Sequence, residues 1–293
     1  MKVTKPLIIE ARLNEKTMRS GNDALPYTPE EVIADAQAVY EAGASMVHWH
    51  ARDAMGVEHP NSVEMNAEII RGIKASTPLL LHPTMGFIGT QNNASARVAQ
   101  MDALQASQDT RVDVVPVDMG AFIADRWDAE RRVFKTADVV MTNKVDYLHD
   151  LLTSLQQTKT MIMSVVWGAG AVRTALAFQE AGLIGDRTFW ELGFTGETMP
   201  GGPPATASNL ESYLELIPSV DEWTVLVMGG DAMEIAAQAI MRGGHVSIGL
   251  GDHHYDRFGK PTNADLIAKV ADMARIIGRP IADTEQARKM LAL

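Results

Sequence analysis

The chain contains no cysteine. Disulfides and thiolate nucleophiles are therefore excluded, and any bound metal must rest on histidine, aspartate or glutamate. Aromatic residues are scarce, at 6% of 293 positions. No apolar run approaches the roughly 20 residues that span a bilayer. Positive charge is also in deficit: 26 Lys and Arg stand against 37 Asp and Glu, a formal net charge of −11. That balance argues against a nucleic-acid or anionic membrane surface, while local arginines still suit an anionic small ligand. Met1-Lys2-Val3-Thr4-Lys5-Pro6 leads directly into a strand-like segment, so no signal peptide is read and a cytoplasmic location is expected. Glycine (23) and proline (13) are too sparse to suggest disorder, and a hydrophobic fraction of 46% supports a large core.

What the sequence does contain is a regular alternation of strand-like and helix-like segments. Eight short, apolar, β-branched stretches read as strands: Leu7–Arg12, Ser45–His50, Pro78–His82, Val112–Val117, Thr160–Val166, Thr188–Phe194, Glu222–Met228 and His245–Leu250. Helical segments separate them. The first has a clear start and stop: Thr28 as N-cap, Pro29 at the first helical position, Glu31 completing a capping box, and Gly43 as terminator. Further helices are read near 63–76, 94–106, 143–157, 171–181, 207–216, 231–241 and 264–277, with a short extended pair within Trp127–Thr142. A tail, Thr284–Leu293, forms one more short helix with Thr284 as its cap. Eight βα units without a break in composition predict α/β architecture: one (β/α)8 TIM barrel domain over residues 1–293 with a short C-terminal helical tail, rather than an open doubly wound sheet.

Active sites of such barrels lie at the C-terminal ends of the strands. Those ends collect a polar set here: Glu10, Arg12, Asn14 and Glu15; His48, His50 and Arg52; His82 and Thr84; Asp118; then Ser247, Asp252, His253 and His254. His48 and His50 are two apart on a strand, so both imidazoles face one space, with Cβ atoms roughly 7 Å apart. That pair suits a divalent metal such as zinc. A third ligand is needed, and in a closed barrel strand 8 lies beside strand 1, making Asp252 the candidate, with His253 next. Glu10, Arg12 and Asn14 share one strand face. They form either an internal Glu10–Arg12 ion pair or a polar site in which Arg12 grips a carboxylate in a bidentate contact. Asp118 is either a substrate contact or a cap, and His82 either faces the cavity or packs. Gly201-Gly202-Pro203-Pro204 reads as a turn. His245, at the start of strand 8, lies at the far end and reads as structural.

Several segments together carry a resemblance. They are Tyr27-Thr28-Pro29-Glu30-Glu31, Glu41-Ala42-Gly43-Ala44 through Val47-His48-Trp49-His50-Ala51-Arg52-Asp53, Gly243-Gly244-His245-Val246, Ile277-Gly278-Arg279-Pro280 and Thr284-Glu285-Gln286-Ala287-Arg288. Over nearly its whole length the chain resembles the β-keto acid cleavage enzymes. The resemblance implies a zinc-dependent barrel, usually a homo-oligomer (dimer or tetramer). It implies a retro-Claisen-type exchange in which a β-keto acid and acetyl-CoA give acetoacetate and a new acyl-CoA, an acyltransferase activity. It makes His48 and His50 metal ligands and Asp252 a catalytic assistant. The family's acidic residue after strand 1 falls at Glu15, and Pro83-Thr84 replaces a Ser-Thr pair, leaving one hydroxyl. Glu10, Asn14, Thr84 and Asp118 are the expected substrate contacts; Asp252, Glu15 and Arg12 the expected catalytic residues; His48, His50 and Asp252 the expected metal ligands. Two positions depart from the family pattern. Gly251 stands where the family has a glutamate ligand, and Ser247 stands where it has an arginine; Asp252, His253 or water, and Arg12 or Arg52, are the replacements considered. A metal-dependent hydrolase or aldolase that needs no CoA, and a metabolite-binding barrel without turnover, are the other readings.

Overall fold

The computed structural model describes residues 3–86, 94–158 and 160–293. Eight parallel strands make one sheet: β1 (Ile9–Arg12), β2 (Met46–Trp49), β3 (Leu80–Pro83), β4 (Val114–Asp118), β5 (Met161–Val166), β6 (Phe189–Thr195), β7 (Glu222–Met228) and β8 (His245–Ile248). They pair in the order β3-β2-β1-β8-β7-β6-β5-β4. Each strand thus lies beside its neighbours in the chain, and β1 lies beside β8, which is the wrap of a (β/α)8 barrel and not of a doubly wound sheet. At the seam between β3 and β4 the Asp113 N–H donates to the Leu81 carbonyl at 3.1 Å, and the Leu81 N–H donates to the Asp113 carboxylate at 2.9 Å.

The helices are α1 (Pro29–Ala42), α2 (Val63–Ser76), α3 (Ala94–Gln105), α4 (Val145–Leu155), α5 (Ala169–Glu180), α6 (Ala207–Leu214), α7 (Met233–Arg242), α8 (Asn263–Ile277) and α9 (Thr284–Met290). The Thr28–Glu31 capping box is formed, and Gly43 ends α1 in the left-handed region at φ 113°, where a side chain would be strained. The cap of α9 is Asp283 rather than Thr284: Asp283 accepts from the Gln286 N–H, and the Gln286 side chain accepts from the Asp283 N–H. An Asp one residue upstream competes effectively because a carboxylate is the stronger acceptor at a helix N-terminus. The extended pair expected within 127–142 appears as two antiparallel pairs, Ala121–Ile123 with Val140–Thr142 and Trp127–Asp128 with Val133–Phe134. Of the glycine-bearing loop after strand 3, Phe87, Ile88 and Gly89 lie outside the described residues, as do Met1 and Lys2.

Two apolar layers hold the barrel. The larger lies between strands and helices and includes the fully buried Trp49 and Trp190, whose indole N–H groups donate to Asn66 (3.1 Å) and Asp221 (2.9 Å). The smaller fills the barrel floor, with Ile8, Met46, Leu80, Val114, Met163, Phe189 and Leu226, and is joined by Ala282, Ala287 and Leu291 from the C-terminal segment. Helix α9 therefore plugs the N-terminal end of the barrel. Arg288 fastens it to the seam by donating to the Asp113 carboxylate at 2.7 Å.

His245 belongs to this floor, as its position predicts. It is fully buried; its Nδ1 accepts from the Ile8 N–H at 3.0 Å, so its Nε2 carries the proton that meets Glu222 at 2.9 Å. Burial drives its pKa down to about 4 against the opposing pull of Glu222. The folded state thus needs a neutral ring. This contribution is present above the unfolded imidazole pKa, roughly 6.5, and is lost as pH falls toward 4. His245→Ala, which leaves a cavity and an unpaired Ile8 N–H, is expected to cost about 3 kcal/mol in urea unfolding. His245→Gln is expected to flatten the fall of Tm between pH 6.5 and pH 4; an unchanged slope would show that this ring does not titrate as described.

Candidate active site

Successive inward residues along the strands change from apolar at the floor to ionisable at the mouth. Ile8 is followed inward by Glu10 and Arg12, Met46 by His48 and His50, Leu80 by His82 and Thr84, and Phe189 by Glu191. Register then sets the neighbours: Arg12 lies opposite His48, His48 opposite His82, and Glu10 opposite Ser247.

Among the described residues, one group places metal-type donor atoms together: Glu15, His48 and His50, all within 4.8 Å of one another and all buried. His48 Nδ1 lies 2.8 Å from the His82 carbonyl, which can only accept, so Nδ1 bears the hydrogen. Its Nε2 is then a bare lone pair, buried and without a hydrogen-bond partner. His50 turns Nε2 toward Glu15 Oε1 at 3.8 Å and Nδ1 toward Glu58 Oε2 at 3.4 Å. Burial lowers the pKa of both rings; for His48 the nearby Arg12 and His82 add to it, and for His50 Glu58 and Glu15 oppose it in part. Both imidazoles are neutral at neutral pH, the form that binds metal. Asn14 clamps the His50 main chain at two points, accepting from its N–H (2.8 Å) and donating to its carbonyl (3.0 Å).

Behind this group sits Arg12, buried and enclosed by three carboxyls. Nη2 meets Glu15, Nη1 meets Glu191 at 3.0 Å, and Nε lies 2.8 Å from Asp252. Burial raises each carboxyl and Arg12 lowers it, with different outcomes. Glu15, helped by His50, falls to about 2. Glu191, opposed by Glu10 and Glu15, rises to about 8. Asp252, next to Glu15 and Glu191, rises well above the usual carboxylate range. The cluster thus concentrates negative charge on Glu15, while burial and like charge push Glu191 and Asp252 toward their protonated forms. Glu10 pairs with His82 Nδ1 (2.6 Å) and accepts from the Ser247 hydroxyl, and His82 and Arg12 outweigh burial to keep it ionised.

The placements differ in part from those read in the sequence. Glu10 pairs with His82 and Ser247 instead of Arg12. Arg12 has no open fork for a substrate carboxylate, because protein carboxyls occupy its nitrogens. Asp252 lies against Arg12, outside the convergent group, and Glu15 is the carboxylate that reaches the histidines. His253 is turned away, its Nδ1 accepting from the Tyr255 N–H. Thr84 Oγ1 accepts from the Gly86 N–H. Asp118 accepts from the Trp167 indole at 2.8 Å, and burial lifts it to about 6. Gly251 has a steric role: a Cβ there would fall 2.4 Å from the Glu15 nitrogen and 3.0 Å from its Cβ. The loop bearing Glu15 sits on Gly251, with the Lys16 and Thr17 N–H groups donating to its carbonyl. Two residues escaped the sequence reading. Glu191 was legible as the one charge inside an apolar strand, Trp190-Glu191-Leu192; Glu58 had no signal beyond its place in a polar loop.

The chain is 26% identical over 292 residues to the 3-keto-5-aminohexanoate cleavage enzyme of Fusobacterium nucleatum subsp. nucleatum, covering 99% of this chain and 98% of that one. It is 26% identical to the 3-oxoadipate:acetyl-CoA acetyltransferase of Cupriavidus necator, covering 99% and 96%. It is 25% identical to the 3-dehydrocarnitine:acetyl-CoA trimethylamine transferase of Rhizobium meliloti, covering 94% and 92%. Among solved structures, the ternary complex of ObcA with a C4-CoA adduct and oxalate shares the fold at TM-score 0.71 and 17% identity, over 92% of this chain and 68% of that one. The apo form of ObcA matches at 0.70 and 16%, over 92% and 66%, so this chain spans about two thirds of ObcA. The profile of the beta-keto acid cleavage enzymes matches residues 6–293, and the chain belongs to that family.

Proposed function

We propose that the chain is a metal-dependent acyltransferase that cleaves a β-keto acid with acetyl-CoA as co-substrate, releasing acetoacetate and a new acyl-CoA. The names of the Cupriavidus and Rhizobium relatives, a 3-oxoadipate:acetyl-CoA acetyltransferase and a 3-dehydrocarnitine:acetyl-CoA trimethylamine transferase, support the co-substrate. The observation that carries the metal is the bare, buried Nε2 of His48 within the Glu15–His48–His50 group. A buried lone pair without a donor is costly unless a ligand fills the gap. Two neutral imidazoles and one carboxylate are a common open catalytic set for zinc, so the residues present fit the group the family implies. His48, His50 and Glu15 would hold it, and it would supply Lewis-acid polarisation of a bound keto oxygen.

Each neighbouring residue then has a task. Arg12 holds one Glu15 oxygen and leaves the other facing His50. Asn14 fixes the end of β2. Asp252, pressed against Arg12 at the mouth, is the group proposed to move or orient a proton during cleavage. Asp118 and Thr84, at the ends of β4 and β3, are the proposed substrate contacts, and Glu10 orders His82 beneath them. The same reading carries a cytoplasmic homo-oligomer, dimer or tetramer. Among the described residues no helix is long and apolar enough to cross a membrane.

Incubating the enzyme with a panel of β-keto acids and acetyl-CoA should yield acetoacetate and a new acyl-CoA by mass spectrometry. Turnover that leaves acetyl-CoA untouched would instead favour a hydrolase or aldolase on the same barrel. His48→Ala should abolish both metal binding and turnover, and Glu15→Ala should weaken zinc binding by at least ~100-fold in a chelator competition, more than loss of a supporting residue does. Gly251→Ala should weaken it too, because the new methyl displaces Glu15. Full zinc affinity in Glu15→Ala would return the third-ligand role to another group.

Glu191 gives a separate check on the metal-free protein. Its folded pKa, about 8, lies above the unfolded carboxyl value near 4.3, so its ionisation erodes stability as pH climbs from 4.3 through 8. Glu191→Gln, which mimics the protonated acid, is expected to gain Tm over the wild type at pH 9 and to gain less at pH 6. Equal gains at both values would show that Glu191 is already ionised at pH 6.

A further inference from the structure

We propose that Glu58 is a positioning residue for the metal centre, holding His50 with Nδ1 protonated and Nε2 turned to Glu15 and His48. The inference rests on the metal reading above and concerns a residue outside the three ligands.

The two histidines present the same problem and solve it differently. Each must keep a hydrogen on Nδ1 so that Nε2 offers a lone pair to the centre. For His48 the acceptor is the His82 carbonyl at 2.8 Å. His50 has no such carbonyl. The acceptor facing its Nδ1 is Glu58 Oε2, at 3.4 Å. The contact is electrostatic and falls short of a hydrogen bond, and the buried nitrogen has no hydrogen-bond partner. The chain returns to bring Glu58 there: Arg52 and Glu58 form an antiparallel bridge, and the His59 N–H donates to the Ala51 carbonyl at 2.8 Å.

Glu58 is itself anchored. Lys16 Nζ donates to Oε2 at 2.9 Å and Arg52 Nη2 to Oε1 at 3.1 Å. Arg52 in turn donates to the carbonyls of Glu15 and, at 3.0 Å, Thr17. One carboxylate thereby ties two ligands together, His50 through its ring and Glu15 through the main chain that Arg52 holds. A carboxylate behind a ligating imidazole orients the ring and raises its basicity, and losing one weakens metal binding by roughly 10–100-fold.

The test uses the metal-stripped full chain with zinc as probe. Glu58→Ala should bind zinc ~10–100-fold more weakly in competition with a chromogenic chelator. Glu58→Gln should fall between, because its amide oxygen still accepts from Nδ1–H. Histidine-labelled 15N spectra of the metal-free protein should show His50 as the single Nδ1–H tautomer in the wild type and as a mixture in Glu58→Ala. An unaltered tautomer with unaltered zinc affinity in Glu58→Ala would overturn the proposal. Zinc failing to bind the wild type would overturn the metal reading instead, while the tautomer spectra would still judge Glu58.

Discussion

A guanidinium inside a barrel is stable only if carboxyls meet it, and that requirement at Arg12 organises the rest of the site. Stripping water from an arginine costs several kcal/mol, and removing one partner of a buried pair costs about 3–5 kcal/mol because the other is left uncompensated. Arg12 is met from three elements: Glu15 from the loop after β1, Glu191 from β6, and Asp252 from the loop after β8. These contacts draw the loop after β1 down onto Gly251, and that descent carries the Glu15 carboxylate to the two histidines. The metal-type group is thus a by-product of neutralising a buried cation. It also explains why Asn14, one residue earlier, is set to clamp the His50 main chain.

The same enclosure settles where negative charge resides. Burial makes it costly for all three acids around one cation to ionise together. Glu15 keeps its charge, while Glu191 and Asp252 are driven up. The retained charge lies on the residue beside the imidazoles, where a divalent cation would need it. The two acids driven up stand outside the convergent group. One of these, Asp252, comes from the loop after β8 and lies 2.8 Å from Arg12 Nε.

Much of this was legible in the sequence because barrels translate periodicity into position. The period of two placed His48 and His50 on one face, and closure placed strand 8 beside strand 1, so Asp252 and the β1 loop do meet. What periodicity cannot resolve is which of two adjacent carboxylates reaches the metal-type group. That is decided by a steric fact of ångström scale, the room that Gly251 leaves for the Glu15 backbone. Glu58 was invisible for another reason. It stands in a polar loop among Asp53, His59 and Asn61, and only the bridge with Arg52 turns it back over His50. Arg12 was read either as the ion-pair partner of Glu10 or as a grip for a substrate carboxylate, because two of its actual partners, Glu191 and Asp252, come from far away in the chain.

The two departures from the pattern the resemblance implies, Gly251 and Ser247, both face β1 and its loop. Gly251 leaves the volume that the Glu15 loop needs, because a Cβ there would fall 2.4 Å from the Glu15 nitrogen, and the small Ser247 gives its hydroxyl to Glu10, its register partner on β1. A glutamate at 251 would collide with the loop that carries Glu15 to the histidines, so the two acids compete for one volume. The carboxylate of the convergent group therefore comes from the loop after β1 and not from the loop after β8.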